Sequence, residues 1–521
     1  MGNRDTQAIL DYHEATKHSE WSIRSSQHAL DWENQPLPFK IYRDLEPIPL
    51  SGDFPDRNVP ALDAIAQDPG ATRGAVVERI PDLAALSRVL FLTAGITKRK
   101  RHPGGEIYLR AYPNTGALHH VDLYVVTAEL ADLPAGVYHF APHDFALRQL
   151  RQGDFRAALL EASGGNSAIA RAPVVIASAS TYWRNAWKYR ARAWRHCFWD
   201  AGTLHANLLA VATTEGLEPR VVLGWADTRV ERLLGLDPMR EGALTLVPLG
   251  RSQEPLPPAP EIGELRHETQ RLSRQEIAYA EIRAAQAASS LADAGEAAAW
   301  RGAASSREEP LPAGPLTALR PHSDAEIPRE SLDRVIRRRG STRVFDRQRP
   351  IGFEDLSAAL DRATRGIAAD FLEAPRATLL DLYLIVNAVE GLAPGAYHYR
   401  REARALELLR GGRFRSAAGR LGLGQDLPAQ AAVNVYSMSD LPRVLERFGN
   451  RGYRAAQLEG GITGGRLYLA AYAQRLGATG LTFFDDEVTE FFSPHAAGRS
   501  VMFLVALGHP DRAALGLAPR P

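Results

Sequence analysis

The sequence predicts an α+β protein of two similar domains that pack together as a pseudo-dimer within one chain. Its 521 residues exceed what one ordinary hydrophobic core accommodates. The segment starting at Val121 resembles the segment starting at Leu380, and this 259-residue register holds for about 130 residues, to Gly250 and Gly508. Both copies alternate apolar strands with long helices, which is typical of a mixed sheet flanked by helices.

The elements of the two copies follow in the same order. Each copy begins with a strand, at 122–127 or 381–386, and continues through a Gly-Tyr-His hairpin and a short helix. A β-branched strand follows, "APVVIASAS" in the first copy and "AAVNVYSMS" in the second. A long helix and two further strands close each copy. The repeated order predicts the same fold twice.

The repeat and the composition of the connecting segments define four regions. We divide the chain into an N-terminal extension (1–54), a first domain (55–250), a Pro- and Ala-rich connector (251–324) and a second domain (325–521). Within the connector, the stretch from Leu265 to Ala299 is predicted to be helical. The long helix of the second domain contains four closely spaced glycines, each costing about 1 kcal/mol against alanine in a helix interior. We therefore expect that close contact with a helix of the other domain compensates for Gly460, Gly461, Gly464 and Gly465.

Composition excludes several classes of function. The 62 basic and 61 acidic side chains nearly cancel, so charge indicates neither a nucleic-acid nor a membrane partner. One cysteine, Cys197, excludes an intrachain disulfide framework and any cysteine-based metal site, and we assign no metal site. A reducing, cytoplasmic location is expected. Because neither an apolar N-terminal signal region nor an apolar run of about 18 residues occurs, no secretion or membrane span is predicted.

The segment "RRRGSTRVF" (337–345) has the pattern of a phosphate-binding clamp. A phosphate dianion is bound well by paired guanidinium groups, a hydroxyl and backbone N–H groups, and a glycine allows close approach. The alternative is a solvated basic run at the end of a helix. The first copy has no Arg-x-Ser-x-Arg element upstream of "DLAALSRVLFLTAG". The clamp residues assigned to the cofactor are Arg339, Gly340, Ser341 and Arg343.

The first copy instead carries a loop, "YPNTGALHH" (112–120), of small, turn-forming residues. The second copy has "EAPRATLLD" in its place. The adjacent histidines point to opposite faces of an extended segment, so at most one of them faces a ligand. Each copy thus lacks what the other has. The loop residues assigned to the cofactor are Pro113, Asn114, Thr115, Gly116 and His119.

Several segments together resemble a known family. They are "YHEATKHS", the 112–126 loop and strand, "KYRARAWRHCFWDAGTLHANLLAVA", the Arg-x-Ser-x-Arg element and "GATGLTFFDDEVTEFF". They resemble the nitroreductase superfamily and, more narrowly, its SagB-type dehydrogenases, which include azoline oxidases. The resemblance implies FMN at the interface of two folds, with the clamp from one fold and a loop from the other. It also implies that the backbone of Gly480 and Leu481 lies along the flavin ring, and that the one complete pair of elements binds one FMN per chain.

The resemblance also implies a catalytic pair. Lys188 and Tyr189 occupy the position of the Lys-Tyr pair proposed as acid and base in SagB-type oxidases, whereas the second copy has Arg447 and Phe448 at the same 259-residue offset. A lysine acts as a base only where burial or a neighbouring cation lowers its pKa. The alternative is that Lys188 and Tyr189 are ordinary surface and packing residues.

These observations lead to a functional hypothesis. The chain is expected to be an FMN-dependent oxidoreductase that transfers hydride through flavin N5 and oxidises azoline-like or other small-molecule or peptide substrates. One alternative is a nitro or quinone reductase with NAD(P)H as reductant. Another is a non-catalytic flavin-binding scaffold. Oligomerisation beyond the internal pseudo-dimer is left open.

Overall fold

The computed structural model describes residues 2–66, 78–102, 105–301, 312–323, 325–372, 377–511 and 513–514. In these residues, two α+β domains, each built on one sheet, share an apolar core that runs through both. The α+β prediction is confirmed. Neighbouring strands in both sheets run antiparallel, and the parallel pairs are isolated bridges, for example Val221 with Ala369 and Ile351 with Val389.

The first domain has a six-stranded sheet in the order β1-β6-β5-β4-β7-β8 and a separate hairpin, β2-β3. The basic segment "TKRKRH" forms most of β2 of this hairpin. The strands of this half are β1 (Pro47–Pro49), β2 (Ile96–His102), β3 (Gly105–Arg110), β4 (Val121–Thr127), β5 (Gly136–Ala141), β6 (Ala146–Gln152), β7 (Val174–Thr181) and β8 (Glu241–Leu249).

The second domain repeats this sheet with one further strand. Its order is β14-β15-β13-β10-β11-β12-β9, and the short edge strand β9 comes from the connector. Strand β14 has no counterpart among the named strands of the first domain. The strands of this half are β9 (Leu316–Ala318), β10 (Asp381–Val386), β11 (Gly395–Arg400), β12 (Ala405–Gly411), β13 (Val433–Ser439), β14 (Gly477–Leu481) and β15 (Ser500–Gly508).

Helices cover the sheets and join the two domains. The longest, α7 and α16, are buried along nearly their whole length, which is typical of a central helix without a solvent face. The helices are α1 (Gln7–Ala15), α2 (Glu20–Arg24), α3 (Ala61–Ala64), α4 (Leu83–Ala94), α5 (Arg156–Ala162), α6 (Tyr182–Tyr189), α7 (Ala193–Thr214), α8 (Asp227–Leu234), α9 (Ala280–Ala288), α10 (Ala294–Arg301), α11 (Leu332–Arg338), α12 (Phe353–Ala363), α13 (Arg415–Leu421), α14 (Asp426–Gln430), α15 (Leu441–Phe448), α16 (Arg451–Ala473) and α17 (Asp485–Phe492).

Helices α7 and α16 cross at glycines. A Cβ atom on Gly461 would collide with the carbonyl oxygen of Trp199, and one on Gly202 would lie 2.5 Å from the carbonyl oxygen of Leu458. Gly465 faces α7 in the same way. The expectation that glycines permit a close helix contact between the domains therefore holds for this face, whereas Gly460 and Gly464 lie against their own strand β15. Because Gly202 and Gly461 are 259 positions apart, the crossing lies on the pseudo-two-fold axis.

Two buried ion-pair triads repeat this symmetry. Arg451 and Arg454 of α16 reach into the first domain and bind Asp227 at 2.6 and 2.9 Å. The corresponding arginines, Arg192 just before α7 and Arg195 within it, bind Asp485 of the second domain at 3.0 and 2.6 Å. Each domain thus places a pair of arginines on a carboxylate at the start of a helix in the other domain, where a carboxylate also interacts favourably with the helix dipole.

The connector differs from its predicted form. The stretch predicted as one helix contains two, α9 and α10, and residues 265–279 are not helical. This part runs beside the N-terminal extension, where Leu37 N–H donates to the Leu272 carbonyl at 2.8 Å and Gln270 N–H donates to the Ile41 carbonyl at 2.8 Å. Tertiary backbone pairing therefore overrides the local helix propensity here. In the described part of the chain, no helix is long and apolar enough to span a membrane.

Candidate functional site

The loop of the first domain is held in a tight turn by α7. Gly116 has φ +64°, a conformation that favours glycine. Both oxygens of the Asp200 carboxylate accept a hydrogen bond from the backbone N–H of Thr115 at 3.0 Å, and Oδ1 also accepts from its hydroxyl at 2.7 Å. Thr203 Oγ1 donates to the Pro113 carbonyl at 2.6 Å. Side chains of α7 therefore fix the conformation of the loop.

The two histidines after this turn are buried. His120 joins Ser180 and Asp200, each at 2.8 Å, beneath the loop. The ring of His119 contacts the backbone carbonyl of Tyr108 at 2.8 Å. Burial, aided by Arg110, lowers the pKa of His119 to about 3, so its imidazole is neutral. Because this ring packs on β3, a contact between His119 and a cofactor stays a prediction.

The clamp of the second domain contacts the backbone just before this loop. Arg339 is buried, and its guanidinium donates to the backbone carbonyls of Arg110 and Ala111 at 2.8 and 3.2 Å. A third N–H contacts the carbonyl of Gly340 at 3.3 Å, which engages three of its five donors. The first arginine of the clamp therefore joins the two domains just before the loop begins.

The other clamp residues border an open surface. Arg343 is exposed, and Gly340 has no side-chain atom nearer to its would-be Cβ than Tyr472 Oη at 3.7 Å. Ser341 Oγ lies 3.3 Å from the hydroxyl of Tyr468. That hydroxyl also accepts the backbone N–H of Gly480. Tyr468 thus links the clamp to the end of β14.

Strand β14 ends at this same surface. Gly480 is exposed and Leu481 is half-buried, so part of their backbone faces outward. The next residue, Thr482, has a buried Oγ1 with no hydrogen-bond partner among the described residues. Space beside Gly340, the exposed basic side chain of Arg343 and the Thr482 hydroxyl without a described partner all fit a bound phosphate-bearing group.

Lys188 and Tyr189 lie at the C-terminal end of α6. The Lys188 ammonium nitrogen lies 5.4 Å from the centroid of the Tyr189 ring, which packs edge-on against His196. The Tyr189 hydroxyl would be 2.9 Å from a Cβ on Gly116. Burial and the Asp200 carboxylate raise the pKa of Tyr189 above its usual value, and Arg343 opposes this shift. Tyr189 therefore keeps its proton at neutral pH.

These parts form one composite site, which comprises the clamp (339–343), the loop (112–119), the Lys188–Tyr189 pair and the Gly480–Leu481 strand end. Arg339 connects clamp and loop, and Tyr189 lies beside Gly116 and within the electrostatic reach of Arg343. Residues more than 200 positions apart in the sequence thus meet at the domain interface. Three supporting side chains, Asp200, Thr203 and Tyr468, were not assigned to the site from the sequence, because their roles depend on contacts that only folding creates.

The mirror site comprises the positions related to the composite site by 259 residues, Val221 with Val222 and Arg447 with Phe448. Val221 is fully buried, and its N–H donates to the Ala368 carbonyl at 2.8 Å. The Phe448 ring is covered by Trp300 of α10 at 5.3 Å between ring centroids. The mirror site would also need a clamp from the first copy and a loop from the second. The first-copy segment in the clamp position lies upstream of α4, largely within 67–77, and is outside the described residues. The second-copy segment in the loop position, "EAPRATLLD", includes 373–376, which are also outside the described residues.

Comparison with known proteins identifies the family. The model of the nitroreductase family matches residues 76–251 and 336–509, one match in each domain. The chain belongs to the nitroreductase family. The resemblance inferred from the sequence, including its tandem duplication, is thereby confirmed. The chain is an oxidoreductase of the nitroreductase family.

A solved structure shares both domains of this nitroreductase-family chain. The crystal structure of a provisionally named nitroreductase from Anabaena variabilis matches with a TM-score of 0.77 and 26% sequence identity, over 96% of this chain and 99% of that one. Because the match spans nearly both chains in full, the fused two-domain arrangement occurs in that protein too.

Two curated relatives carry processing functions in their names. The trifolitoxin-processing protein TfxB of Rhizobium leguminosarum bv. trifolii is 32% identical over 146 residues, which are 27% of this chain and 39% of TfxB. The microcin B17-processing protein McbC of Escherichia coli is 27% identical over 133 residues, or 25% of this chain and 49% of McbC. The chain thus spans less than half of either relative.

Proposed function

We propose that this nitroreductase-family protein is an FMN-dependent dehydrogenase that binds one FMN per chain in the composite site. The observation that carries the proposal is the meeting of a basic clamp from the second domain with a glycine turn and a Lys-Tyr pair from the first. In the mirror site, Trp300 packs against Phe448, and Val221 is buried with its backbone N–H bonded to the Ala368 carbonyl. The difference supports one site per chain.

The residues would share the binding of FMN as follows. Arg343, with the hydroxyl of Ser341, would bind the phosphate, because charge-assisted hydrogen bonds from a guanidinium are strong and directional. The turn at Gly116 and the end of β14 would border the ring. Arg339 would hold the clamp to the first domain instead of presenting its whole fork to the phosphate.

Lys188 and Tyr189 would take part in proton transfer and substrate orientation. When bound, FMN supplies a two-electron acceptor that takes hydride at its N5 atom. Oxidation of an azoline-like substrate also releases a proton, which the amine of Lys188 would accept in its unprotonated form. Tyr189 keeps its own proton at neutral pH and therefore serves as a hydrogen-bond donor that orients the substrate. Dioxygen or another two-electron acceptor completes the cycle.

The processing relatives support an azoline-like or peptide substrate, and the alternatives make different predictions. A reductase would use NAD(P)H to supply the electrons for a nitroaromatic or quinone. A scaffold would bind flavin without turnover. The resemblance to TfxB and McbC, at 32% and 27% identity over one domain's length, favours the dehydrogenase.

Flavin stoichiometry is the decisive measurement. Released flavin is identified by chromatography and quantified against the protein, and we expect one FMN per chain. Stopped-flow mixing under anaerobic conditions then compares an azoline-containing peptide with NADH and NADPH as reductants of the bound flavin. Fast reduction by the peptide supports the dehydrogenase, and fast reduction by a nicotinamide supports the reductase. No flavin, or two flavins per chain, contradicts the site assignment.

A further inference from the structure

Three metal-ligating side chains meet at the far edge of the second sheet, away from the composite site. His398 lies on β11, Glu407 on the neighbouring strand β12, and His495 in the turn between α17 and β15. Their ligand atoms all lie within 4.8 Å of one another. His398 and Glu407 are fully buried, and His495 is partly buried.

The spacing of these atoms does not suit hydrogen bonding. His398 Nδ1 lies 3.8 Å and His495 Nε2 lies 3.9 Å from the same carboxylate oxygen, Oε2 of Glu407. Both separations exceed the usual hydrogen-bond range. Neighbouring ligand atoms of a tetrahedral zinc site with bonds of about 2.0–2.2 Å lie about 3.3–3.6 Å apart, so shifts of a few tenths of an ångström would bring these atoms to zinc-binding distance. His398 Nδ1 is buried without a hydrogen-bond partner among the described residues. An ion between the three atoms would give this nitrogen a partner.

The outer contacts orient all three groups. His398 Nε2 faces Asp381 Oδ1 at 3.4 Å, and His495 Nδ1 contacts the hydroxyl of Tyr383 at 3.0 Å. The other oxygen of Glu407, Oε1, accepts the backbone N–H groups of the connector at 2.6 and 3.0 Å. Carboxylate and hydroxyl partners on the non-ligating side of a histidine are typical of metal centres.

One neighbour opposes a cation. Arg400 Nη1 lies 3.0 Å from Glu407 Oε2 and brings a positive charge to the site. Each carboxylate oxygen has two lone-pair positions, so the arginine and an ion can share Oε2. Asp381 also lies nearby, but Arg499 pairs with it at 2.7 Å and balances its negative charge. We therefore expect the charge of Arg400 to weaken binding without preventing it.

We propose that His398, Glu407 and His495 bind one Zn²⁺ ion per chain. Two imidazoles and one carboxylate are a donor set that zinc favours, and a water molecule would complete four-coordination. The ion would fasten β11, β12, the turn after α17 and, through Glu407, the connector. The first domain has His139, Arg148 and Leu236 at the positions 259 residues earlier, so it lacks the site. The proposal does not depend on flavin binding.

Direct zinc binding tests the proposal. Tag-free, full-length protein freed of metal is titrated with Zn²⁺ in competition with a chromophoric chelator, and bound metal is counted by mass spectrometry. We expect one Zn²⁺ per chain and a higher Tm in its presence. Co²⁺ should give the visible absorption of a four-coordinate site.

Variants separate this site from adventitious binding. Glu407→Gln and His495→Asn should each lower zinc affinity by at least about tenfold, whereas His322→Asn, which alters a histidine paired with Asp355 elsewhere in this domain, should leave it unchanged. Wild-type protein that binds no zinc, or both site variants binding it as tightly as wild type, would overturn the proposal. The absence of zinc binding by the wild-type protein would contradict the proposal even if a variant fails to fold.

Discussion

The composite site and the mirror site are built from related positions, yet positions that are exposed or half-buried in the first are buried in the second. At the strand end, the composite site has exposed Gly480, whereas the mirror site has fully buried Val221. Tyr189 is exchanged for Phe448, over which Trp300 packs. Both sites keep a cation over the aromatic ring, at 5.4 and 4.3 Å.

The comparison teaches how a fused dimer becomes asymmetric. A symmetric homodimer must use the same residues at both of its interface sites, because each substitution appears twice. After duplication and fusion, each position changes independently. Here the central helices remain symmetric, with Gly202 against Gly461 and two matching arginine triads, while the peripheral sites diverge.

The largest expected effect comes from opening the mirror site. Trp300 is fully buried, and its indole N–H donates to the Phe448 carbonyl at 2.9 Å. Trp300→Ala should lower the free energy of unfolding by about 3–5 kcal/mol in chemical denaturation. Exposed Trp21→Ala serves as the control and should change it by less than about 0.5 kcal/mol. A second bound FMN in the Trp300 variant would show that packing alone closes the mirror site.

Next in size is the effect of removing the clamp. Arg343→Ala should weaken FMN binding by about 10- to 100-fold, because a charge-assisted hydrogen bond is worth about 1.5–3 kcal/mol. Arg447→Ala, in the mirror site, should leave the FMN dissociation constant unchanged. Fluorescence titration of the apoprotein measures both. Equal loss in the two variants would contradict the assignment of the flavin to one site.

The Lys-Tyr pair should affect turnover more than binding. Tyr189→Phe removes a hydroxyl that keeps its proton, and we expect kcat to fall about 10- to 100-fold with little change in FMN affinity. Phe448→Leu should leave kcat unaltered. Since the pKa of Tyr189 is raised, the wild-type pH profile should contain no Tyr189 limb below about pH 10. A change in rate below pH 10 that is present in wild type and absent in Tyr189→Phe would refute the assignment of a protonated Tyr189 hydroxyl.

The smallest effect near neutrality concerns Asp485. Burial opposes its ionisation, but Arg192 and Arg195 hold the pKa of this carboxyl well below its usual range. Its contribution to stability is therefore complete above the unfolded-state value of about 3.9 and is lost as the pH falls further. Tm should not respond to Asp485 between pH 7 and 5 and should drop below about pH 4. In Asp485→Asn, the acid-induced drop should be shallower; an unchanged pH dependence would exclude this linkage.

Much of the fold could be predicted from the sequence because an internal repeat can be detected by comparing the chain with itself. The 259-residue register revealed the duplication, and the glycines of α16 indicated a close helix crossing, at which two of the four, Gly461 and Gly465, lie. The connector was predicted less well, since its residues 265–279 are fixed by backbone pairing with the N-terminal extension. That pairing joins segments more than 200 positions apart and leaves no local pattern.

The candidate site, too, could be predicted only in part from the sequence. The sequence by itself determined which chemical groups each copy retains, a clamp in one and a loop with a Lys-Tyr pair in the other. Only the tertiary structure decided that Arg339 joins the domains, that Asp200 supports the loop and that Trp300 covers Phe448. The physical reason is that composition and spacing encode the chemical groups a segment carries, whereas burial and hydrogen-bond partners arise from contacts between segments distant in the chain.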